Sequence, residues 1–242
     1  MVEKVFESER LLFKPFSSLT SKEKGIIIQS WSNPFNARYN STKDAKKSVL
    51  NISKLTEPTF KDLNNFYDCM YYRAVFDKST NQIIGTCRFG KYYRTSNNDC
   101  WDFGFNVLLK HWYKGYGTEI LGKVVKIARQ DGIKSFIGSA DAENIGSYKA
   151  MIKNGFAYDG IDADGDFVYK LDLAKAENKK DNINQNWNDY IAKLKQKLGL
   201  QMFEKLENIN IKIKEIVKQI QNGEDENQLA NEYYKQLFQE WL

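Results

Sequence analysis

The hydrophobic pattern of this 242-residue sequence changes near residue 175, and this change constrains the fold more than any other feature. Upstream, short runs rich in β-branched and aromatic residues alternate with stretches of helical periodicity. Downstream of the polar stretch AENKKDNINQ, apolar residues recur only at helical spacing. We therefore predict an α/β domain over residues 1–174 and an all-helical extension over residues 175–242.

The α/β part predicts a sheet flanked by helices. The expected elements are, in order, strand 9–16, helices 21–31 and 41–55, strands 71–77, 83–93 and 99–109, helix 118–130, strand 134–140, helix 144–153 and strand 166–173. The three successive strands favour an antiparallel meander, whereas a crossover helix joins parallel neighbours. The expected sheet is therefore mixed and mostly antiparallel.

The extension predicts about three amphipathic helices. Their apolar stripes are Ile183, Trp187, Tyr190, Leu194 and Leu198; then the heptad seam Met202, Leu206, Ile209, Ile213, Ile216 and Ile220; then Leu229, Tyr233, Leu237 and Trp241. Helices of this length do not bury such stripes alone. They form a small bundle, pack on the α/β part or make a homodimer, and the sequence leaves these alternatives open.

Composition excludes several classes of site. The cysteines Cys69, Cys87 and Cys100 are widely spaced and form no CxxC, which argues against a disulfide framework or a zinc site. His111 is the single histidine, so catalytic triads and most metal sites are excluded unless this residue carries them. A lone histidine in this context is expected at the surface.

Net charge and hydropathy indicate which kinds of partner to expect. The net charge is +5, and the surplus lies in residues 1–174, which favours anionic ligands. Such a mild surplus is only weak evidence for nucleic acid, which we do not expect as a partner. No apolar run approaches the ~20 residues of a membrane-spanning helix, and the N-terminus lacks the apolar stretch of a signal peptide. We expect a soluble, cytoplasmic protein with no membrane partner.

The stretch HWYKGYGTEIL, residues 111–121, follows an apolar strand and opens an amphipathic helix. Glycines let a ligand approach the backbone, and the free N–H groups at a helix start attract anions. The GK[ST] ending of a Walker A loop and the third glycine of a dinucleotide fingerprint are absent. The stretch therefore predicts a phosphate cradle of another type, with a tight turn that binds no ligand as the alternative.

The stretch WYKGYGTE, preceded by DFGFNVLL and followed by NIGSYKAMIKNGF, resembles the GNAT N-acetyltransferase superfamily. The similarity is greatest to the branch that includes ribosomal-protein N-terminal acetyltransferases, and it covers about residues 8–173. It implies acetyl-CoA as cofactor, with the pyrophosphate held by a Q/R-x-x-G-x-G/A turn. Trp112 stands at the Q/R position, Gly115 and Gly117 at the glycine positions, and Tyr113 replaces the usual glycine.

The resemblance also implies where the rest of the cofactor binds. The strand before the turn is expected to separate from its neighbour at a bulge and to pair its backbone at residues 106–109 with the pantetheine arm. The implied cofactor-binding residues are Val107, Leu109, Trp112, Tyr113, Lys114, Gly115, Tyr116, Gly117, Thr118, Asn144 and Ser147. Ordinary packing is the alternative for the apolar members, and helix capping is the alternative for Asn144 and Ser147.

Catalytic candidates come from the same resemblance. Asp102 matches an acidic strand position that could take the proton of the amine directly or through water, with an exposed strand residue as the alternative. Many relatives place a tyrosine acid seven residues after the asparagine, where this chain has Met151. Ser147 or a water is the expected substitute proton donor for the thiolate, and Tyr148 is a weaker one.

The acceptor is the least defined part of the sequence. The resemblance places the amine pocket at residues 31–39 and 92–94. Residues 32–40 contain Arg38 and no acidic residue, which favours a peptide α-amine or a small neutral amine over a polycation. The predicted function is an acetyl-CoA-dependent N-acetyltransferase that works by direct attack in a ternary complex. The alternative is a non-catalytic CoA-binding scaffold that acts through its C-terminal helices.

Overall fold

The computed structural model of the protein describes residues 5–39, 70–91, 99–174 and 181–238. The strands are β1 (Phe6–Glu7), β2 (Leu11–Pro15), β3 (Met70–Asp77), β4 (Ile83–Lys91), β5 (Cys100–Val107), β6 (Ser135–Ala140), β7 (Ala157–Ile161) and β8 (Phe167–Asp172). The helices are α1 (Ser21–Ser32), α2 (Pro34–Ala37), α3 (Tyr116–Gln130), α4 (Ile145–Lys153), α5 (Asp181–Leu198), α6 (Leu200–Gln221) and α7 (Glu226–Phe238). The expected helix 41–55, the acceptor residues 92–94 and Trp241 lie outside the described residues.

The strands form one sheet in the order β1-β2-β3-β4-β5-β6-β8-β7. Every described pair is antiparallel except β5 with β6, which are joined by the crossover helix α3. The predicted meander of β3, β4 and β5 and the mixed, mostly antiparallel sheet are therefore confirmed. The last expected crossover differs, because α4 leads to β7 and the antiparallel β8 then inserts between β6 and β7.

The sequence does not predict two of the strands, β1 and β7. β1 has only two residues, which is too short for a periodic pattern. β7 is an edge strand whose sequence AYDGI is almost entirely exposed, so it lacks the alternation of apolar and polar residues that marks a half-buried strand. The strand follows from its pairing with β8 and not from burial of its own side chains.

Helices cover both faces of the sheet. On one face, α3 packs through a continuous apolar side that includes Ile120, Leu121, Val124 and Ala128, all at most 1% exposed. On the other face, α1 contributes Ile27 to a separate apolar cluster with residues of β3 and β4. A capping box at Thr20 and Glu23 begins α1.

The C-terminal helices pack on the α/β part, which is one of the three alternatives that the sequence leaves open. Tyr190 of α5 stacks on Tyr148 of α4 with ring centroids 4.7 Å apart, and its hydroxyl donates to the Ala142 carbonyl at 2.8 Å. Phe203 and Leu206 of α6 belong to the same apolar cluster as the sheet and α3. The predicted division at residue 175 falls in a stretch outside the described residues.

Replacement of Leu206 by Ala tests whether the extension shares a core with the sheet. Leu206 has no exposed surface, so Leu206→Ala should lower the free energy of unfolding by about 2–5 kcal/mol and leave a single transition in urea. Leu200 on the same helix is 63% exposed, and Leu200→Ala is the matched control that should change little. Two separate unfolding transitions, of which Leu206→Ala shifts only the one that belongs to the C-terminal helices, would contradict a shared core.

Candidate functional site

The sheet opens in its middle, between β5 and β6. These strands pair over three residue pairs, of which the last is Asp102 with Ile137. Beyond this pair, β5 continues beside β4 and β6 continues beside β8. The two strands therefore diverge and leave a wedge, here called the β5–β6 opening. It begins at Asp102 and not at Asn106, and the described β4–β5 register runs without the expected bulge.

Aromatic side chains form one wall of the β5–β6 opening. The rings of Phe103 and Phe105 are nearly parallel, at 7° and 6.2 Å between centroids. A β-carbon at Gly138 would lie 2.6 Å from the Phe103 ring and 3.2 Å from the Met151 sulfur, so glycine at this point of β6 makes room for the ring. Met151 is 1% exposed, so the position at which many relatives carry a tyrosine acid is occupied here by a buried thioether.

The glycine turn leads into α3 at the outer end of the opening. Gly115 precedes the helix with a left-handed φ of 79°, and Tyr113 is also left-handed, at φ 61°. A β-carbon at Gly117 would lie 3.0 Å from the Phe105 ring, so the first turn of α3 sits directly against β5. Because the first N–H groups of a helix lack intrahelical acceptors, the turn has the geometry of an anion site.

The predicted loop residues come together at this turn. Tyr113 and Lys114 are exposed on it, while Tyr116 and Thr118 are half-buried in the first turn of α3. The Tyr116 hydroxyl donates to an Asp77 carboxylate oxygen at 3.1 Å, which fixes the ring to the end of β3. Lys114 thus supplies an exposed cation at the turn, and Arg10, whose side chain is 43% exposed, supplies a second one beside Gly115.

Arg10 and Glu119 support the turn from the other side, and sequence reasoning missed both. The Glu119 carboxylate accepts from the Ser8 hydroxyl at 2.7 Å, the Arg10 amide at 2.8 Å and the Arg10 Nε at 2.6 Å. Arg10 Nη1 donates to the Lys114 carbonyl at 3.2 Å, and its guanidinium lies 4.5 Å from the Tyr116 ring centroid. Burial of Glu119 opposes ionisation, but these donors prevail and lower its pKa.

Trp112 anchors the loop instead of offering a cation. Its indole Nε1 donates to the Val107 carbonyl at 2.7 Å, and its ring packs against an apolar cluster that includes Leu109. The Leu109 side chain has no exposed surface. The two strand positions expected to meet the pantetheine arm are therefore engaged, one through its carbonyl and one through its side chain.

Asp102 lies at the apex of the opening and is 7% exposed, so the alternative of an exposed strand residue is wrong. Arg88 Nη1 donates to both carboxylate oxygens at 3.1 Å. The Arg88 side chain reaches Asp102 across Gly104, where a β-carbon would lie 3.1 Å from Arg88 Nε. Sequence reasoning missed this pair, which depends on the β4–β5 register that sets Arg88 opposite Gly104.

The start of α4 flanks the β6 side of the opening. Asn144 caps the helix, since its Oδ1 accepts the Ser147 amide N–H at 3.2 Å. The Ser147 side chain is half-exposed beside this cap. Tyr148 is fully buried and donates to the carbonyls of Ala140 and Phe167. Burial raises the Tyr148 pKa, so this hydroxyl serves the fold and is a poor proton donor for a thiolate.

A split sheet, a glycine turn and a helix start are the features described so far, and comparison with known protein families gives a match. A family model described as an acetyltransferase (GNAT) domain matches residues 10–157. The chain belongs to the GNAT acetyltransferase family. The protein is therefore an acetyltransferase. The matched region ends at residue 157, before β8 and the C-terminal helices.

Individual GNAT relatives are distant. YoaA, an uncharacterized N-acetyltransferase of Bacillus subtilis strain 168, is 23% identical over 158 residues, which is 65% of this chain and 85% of the relative. Ribosomal-protein-S5-alanine acetyltransferase of Vibrio fischeri superposes with a TM-score of 0.51 at 13% identity, over 71% of this chain and 98% of its own. The microcin C7 self-immunity acetyltransferase MccE, solved with acetyl-CoA and AMP, gives 0.50 at 15%, over 68% and 93%. These structures show the fold.

The segment expected to line the acceptor pocket contains an ion pair that the sequence did not reveal. Arg38, just after α2, donates to Glu143 at 2.6 Å, and the two side chains are only 15% and 16% exposed. Burial raises the pKa of Glu143 above its ordinary value, although Arg38 acts in the opposite direction. Burial likewise raises the pKa of the neighbouring Tyr39 to about 12. A segment that has no acid of its own thus meets one from the β6–α4 loop.

Two further properties of the described residues concern membranes and metals. None of the helices in the described ranges is both long enough and apolar enough to cross a bilayer. Within the same ranges, no group of His, Cys, Asp and Glu side chains could hold a metal ion.

His111 is buried beneath the glycine turn, so its expected position at the surface is wrong. It is 8% exposed, and its ring packs edge-on against Tyr116 at 5.9 Å. Burial, together with the positive charges of Lys110 and Lys114, lowers the pKa of His111 to about 4. The folded protein therefore keeps this imidazole neutral at pH values where an unfolded chain would protonate it.

This burial predicts a pH dependence that a single variant isolates. The unfolded chain takes up a proton near pH 6.5, so the free energy of unfolding should fall as the pH drops from about 6.5 toward about 4. His111→Gln removes this contribution, and the chain has no other histidine. Urea unfolding at pH 7 and pH 4.5 should show the wild type losing stability relative to the variant. Parallel losses in both proteins would contradict the assignment.

Proposed function

We propose that this GNAT protein transfers the acetyl group of acetyl-CoA to a primary amine, by direct attack of the amine in a ternary complex. The observation that carries the proposal is the β5–β6 opening with the start of α3 at its outer end. The opening offers strand backbone to an extended arm, and the helix start offers N–H groups to a phosphate. MccE, which shares the fold, was solved with acetyl-CoA.

The residues present fit such a cofactor. The amides of Tyr116, Gly117 and Thr118 and the ammonium of Lys114 would hold the pyrophosphate. The left-handed Gly115 adds no side chain of its own, and Arg10 Nη2 lies 3.8 Å from where its β-carbon would be. For the arm we propose backbone contacts along residues 103–109, with Val107 and Leu109 among them. Trp112 Nε1 occupies the Val107 carbonyl but not its N–H, and a packed Leu109 side chain does not use the backbone of that residue. Asn144 and Ser147 would face the thiol end from the start of α4.

Chemistry requires an amine without its extra proton and a proton for the departing thiolate. Asp102 at the apex is the proposed base, directly or through water, and Arg88 holds its carboxylate in place. The half-exposed hydroxyl of Ser147, or a water beside it, is the proposed donor to the thiolate. Positioning of both substrates in the opening supplies most of the rate.

Direct attack is supported by the state of the described nucleophiles. Cys87 and Cys100 are both buried, and burial raises the pKa of Cys87 to about 12, far above that of a reactive thiol. The single histidine lies beneath the turn and is 8% exposed. A covalent acetyl-enzyme would need an activated nucleophile that these residues do not supply.

For the acceptor we propose a peptide α-amine or a small amine. The Vibrio fischeri neighbour is a ribosomal-protein-S5-alanine acetyltransferase and MccE is a self-immunity acetyltransferase, so the shared fold serves different acceptors. The Arg38–Glu143 pair leaves the acceptor side near charge balance, which favours neither a polycation nor a polyanion.

The remaining expectations stay predictions. We propose a cytoplasmic location, which suits the buried thiols of Cys87 and Cys100. A homodimer through the C-terminal helices would have to use surfaces other than the predicted seam, because Leu206, Ile213 and Ile216 are at most 3% exposed within one chain. We do not propose nucleic acid as a partner, because the mild positive charge is only weak support for it.

Charge reversal in the turn tests the cofactor site. Lys114→Glu places a carboxylate beside the start of α3 and should weaken acetyl-CoA binding at least about tenfold in calorimetry. Lys126→Glu makes the same charge change at an exposed position farther along α3, and it is the matched control that should stay within about twofold. Equal weakening in both variants would contradict the placement of the cofactor at the turn. A wild type that binds no acetyl-CoA would contradict the proposal and favour a non-catalytic scaffold that binds no cofactor.

Asp102→Asn tests the proposed base. With an amine identified from an acceptor panel, this variant should lower kcat by about 10²-fold and leave the acetyl-CoA Kd unchanged. The control Asp99→Asn removes a carboxylate that is 43% exposed and lies just before β5, and it should retain kcat. A kcat for Asp102→Asn equal to that of the control would remove Asp102 from the mechanism.

A further inference from the structure

The C-terminal helices contact the residues that lead into the cofactor turn. The C-terminal half of α6 and the start of α7 form one apolar cluster with Leu109, and Trp112 packs against that cluster. The buried members contributed by the two helices are Ile209, Ile213, Ile216, Val217, Ile220, Leu229 and Ala230. This surface of the extension therefore covers the segment between the end of β5 and the turn.

Polar contacts continue the same connection. The Gln221 side-chain amide, at the last residue of α6, donates to the Lys110 carbonyl at 3.1 Å and to the Trp112 carbonyl at 3.3 Å. Lys214 of α6 lies 5.8 Å from the centroid of the Tyr113 ring. The extension thus contacts Lys110, Trp112 and Tyr113, three of the four residues that precede Lys114.

The turn has a backbone that needs outside support. Tyr113 has a left-handed φ of 61°, a conformation that a non-glycine residue adopts at a cost and keeps only where its surroundings determine it. Arg10 holds the Lys114 carbonyl on one side, and Gln221 holds the Trp112 carbonyl on the other. The strained residue therefore lies between two fixed carbonyls, of which one depends on α6.

Trp112 strengthens this dependence. Its indole N–H holds the Val107 carbonyl and its ring packs against the C-terminal cluster, so the first residue of the turn is positioned by the extension. A loop that is already ordered binds its ligand without the cost of ordering it. If the extension keeps the turn ordered, it should therefore increase the affinity for the pyrophosphate, which is the part of acetyl-CoA that the turn is proposed to hold.

We propose that the C-terminal extension is a positioning element for acetyl-CoA, in which Gln221 and the apolar cluster of α6 and α7 hold the turn in its anion-binding conformation. The inference rests on the proposed function, because it concerns the same cofactor turn. Gln221 is a positioning residue, since it acts through the carbonyls of Lys110 and Trp112. Its action is confined to the pyrophosphate end of the ligand.

The test uses the full chain and two exposed glutamines of α6. Gln221→Met keeps the length and neutral charge of the side chain and removes its donor. Gln201→Met makes the same change in the first turn of the helix, far from the cofactor turn in sequence. Calorimetry would measure Kd for acetyl-CoA, and competition would measure Kd for S-acetylpantetheine, which lacks the pyrophosphate.

Gln221→Met should weaken acetyl-CoA about 3- to 10-fold, as expected for the loss of one or two hydrogen bonds, and should leave S-acetylpantetheine unchanged. Gln201→Met should match the wild type for both ligands. Identical acetyl-CoA affinities in the two variants, or equal weakening of both ligands by Gln221→Met, would overturn the inference and leave the proposed function standing. A wild type that binds no acetyl-CoA would overturn both.

Discussion

The parting of β5 and β6 after Asp102 and Ile137 is the constraint on which the rest of the site depends. Two parallel strands that stayed paired would use their backbone groups on each other and leave nothing for an extended ligand. Gly138 makes the divergence compatible with a packed core, because it admits the Phe103 ring against β6. The crossover helix α3 then begins at the wide end of the wedge, so its positive end and the exposed strand backbone lie where one extended ligand could reach both.

The turn at the wide end is held by parts of the chain that are remote in sequence. Arg10 and Glu119 tie it to the segment before β2, while the indole of Trp112 and the amide of Gln221 tie it to β5 and α6. The buried His111 beneath it adds a neutral ring where a charge would be costly. The anion-binding geometry is therefore a property of tertiary packing as much as of the glycine pattern.

Periodicity was enough to predict the sheet, its meander and the three C-terminal helices, because those elements bury regular apolar faces. The same signal could not reveal β7, whose side chains are exposed, or the burial of His111, which depends on what covers the turn. Motif resemblance located the turn but not its supports. Arg10, Arg88 and Gln221 act through long-range contacts, for which a single sequence carries no periodic mark.

The contact between Gln221 and Lys110 spans 111 residues of sequence, and that separation bears on the order in which the protein matures during synthesis. β8 must emerge before β6 gains its second neighbour, and α6 must emerge before the carbonyls ahead of the turn gain their donor. Contacts of such separation form late, because a long loop must close before they contribute. A nascent chain that has completed the whole GNAT sheet would thus still lack the contacts that hold the glycine turn until α6 leaves the ribosome.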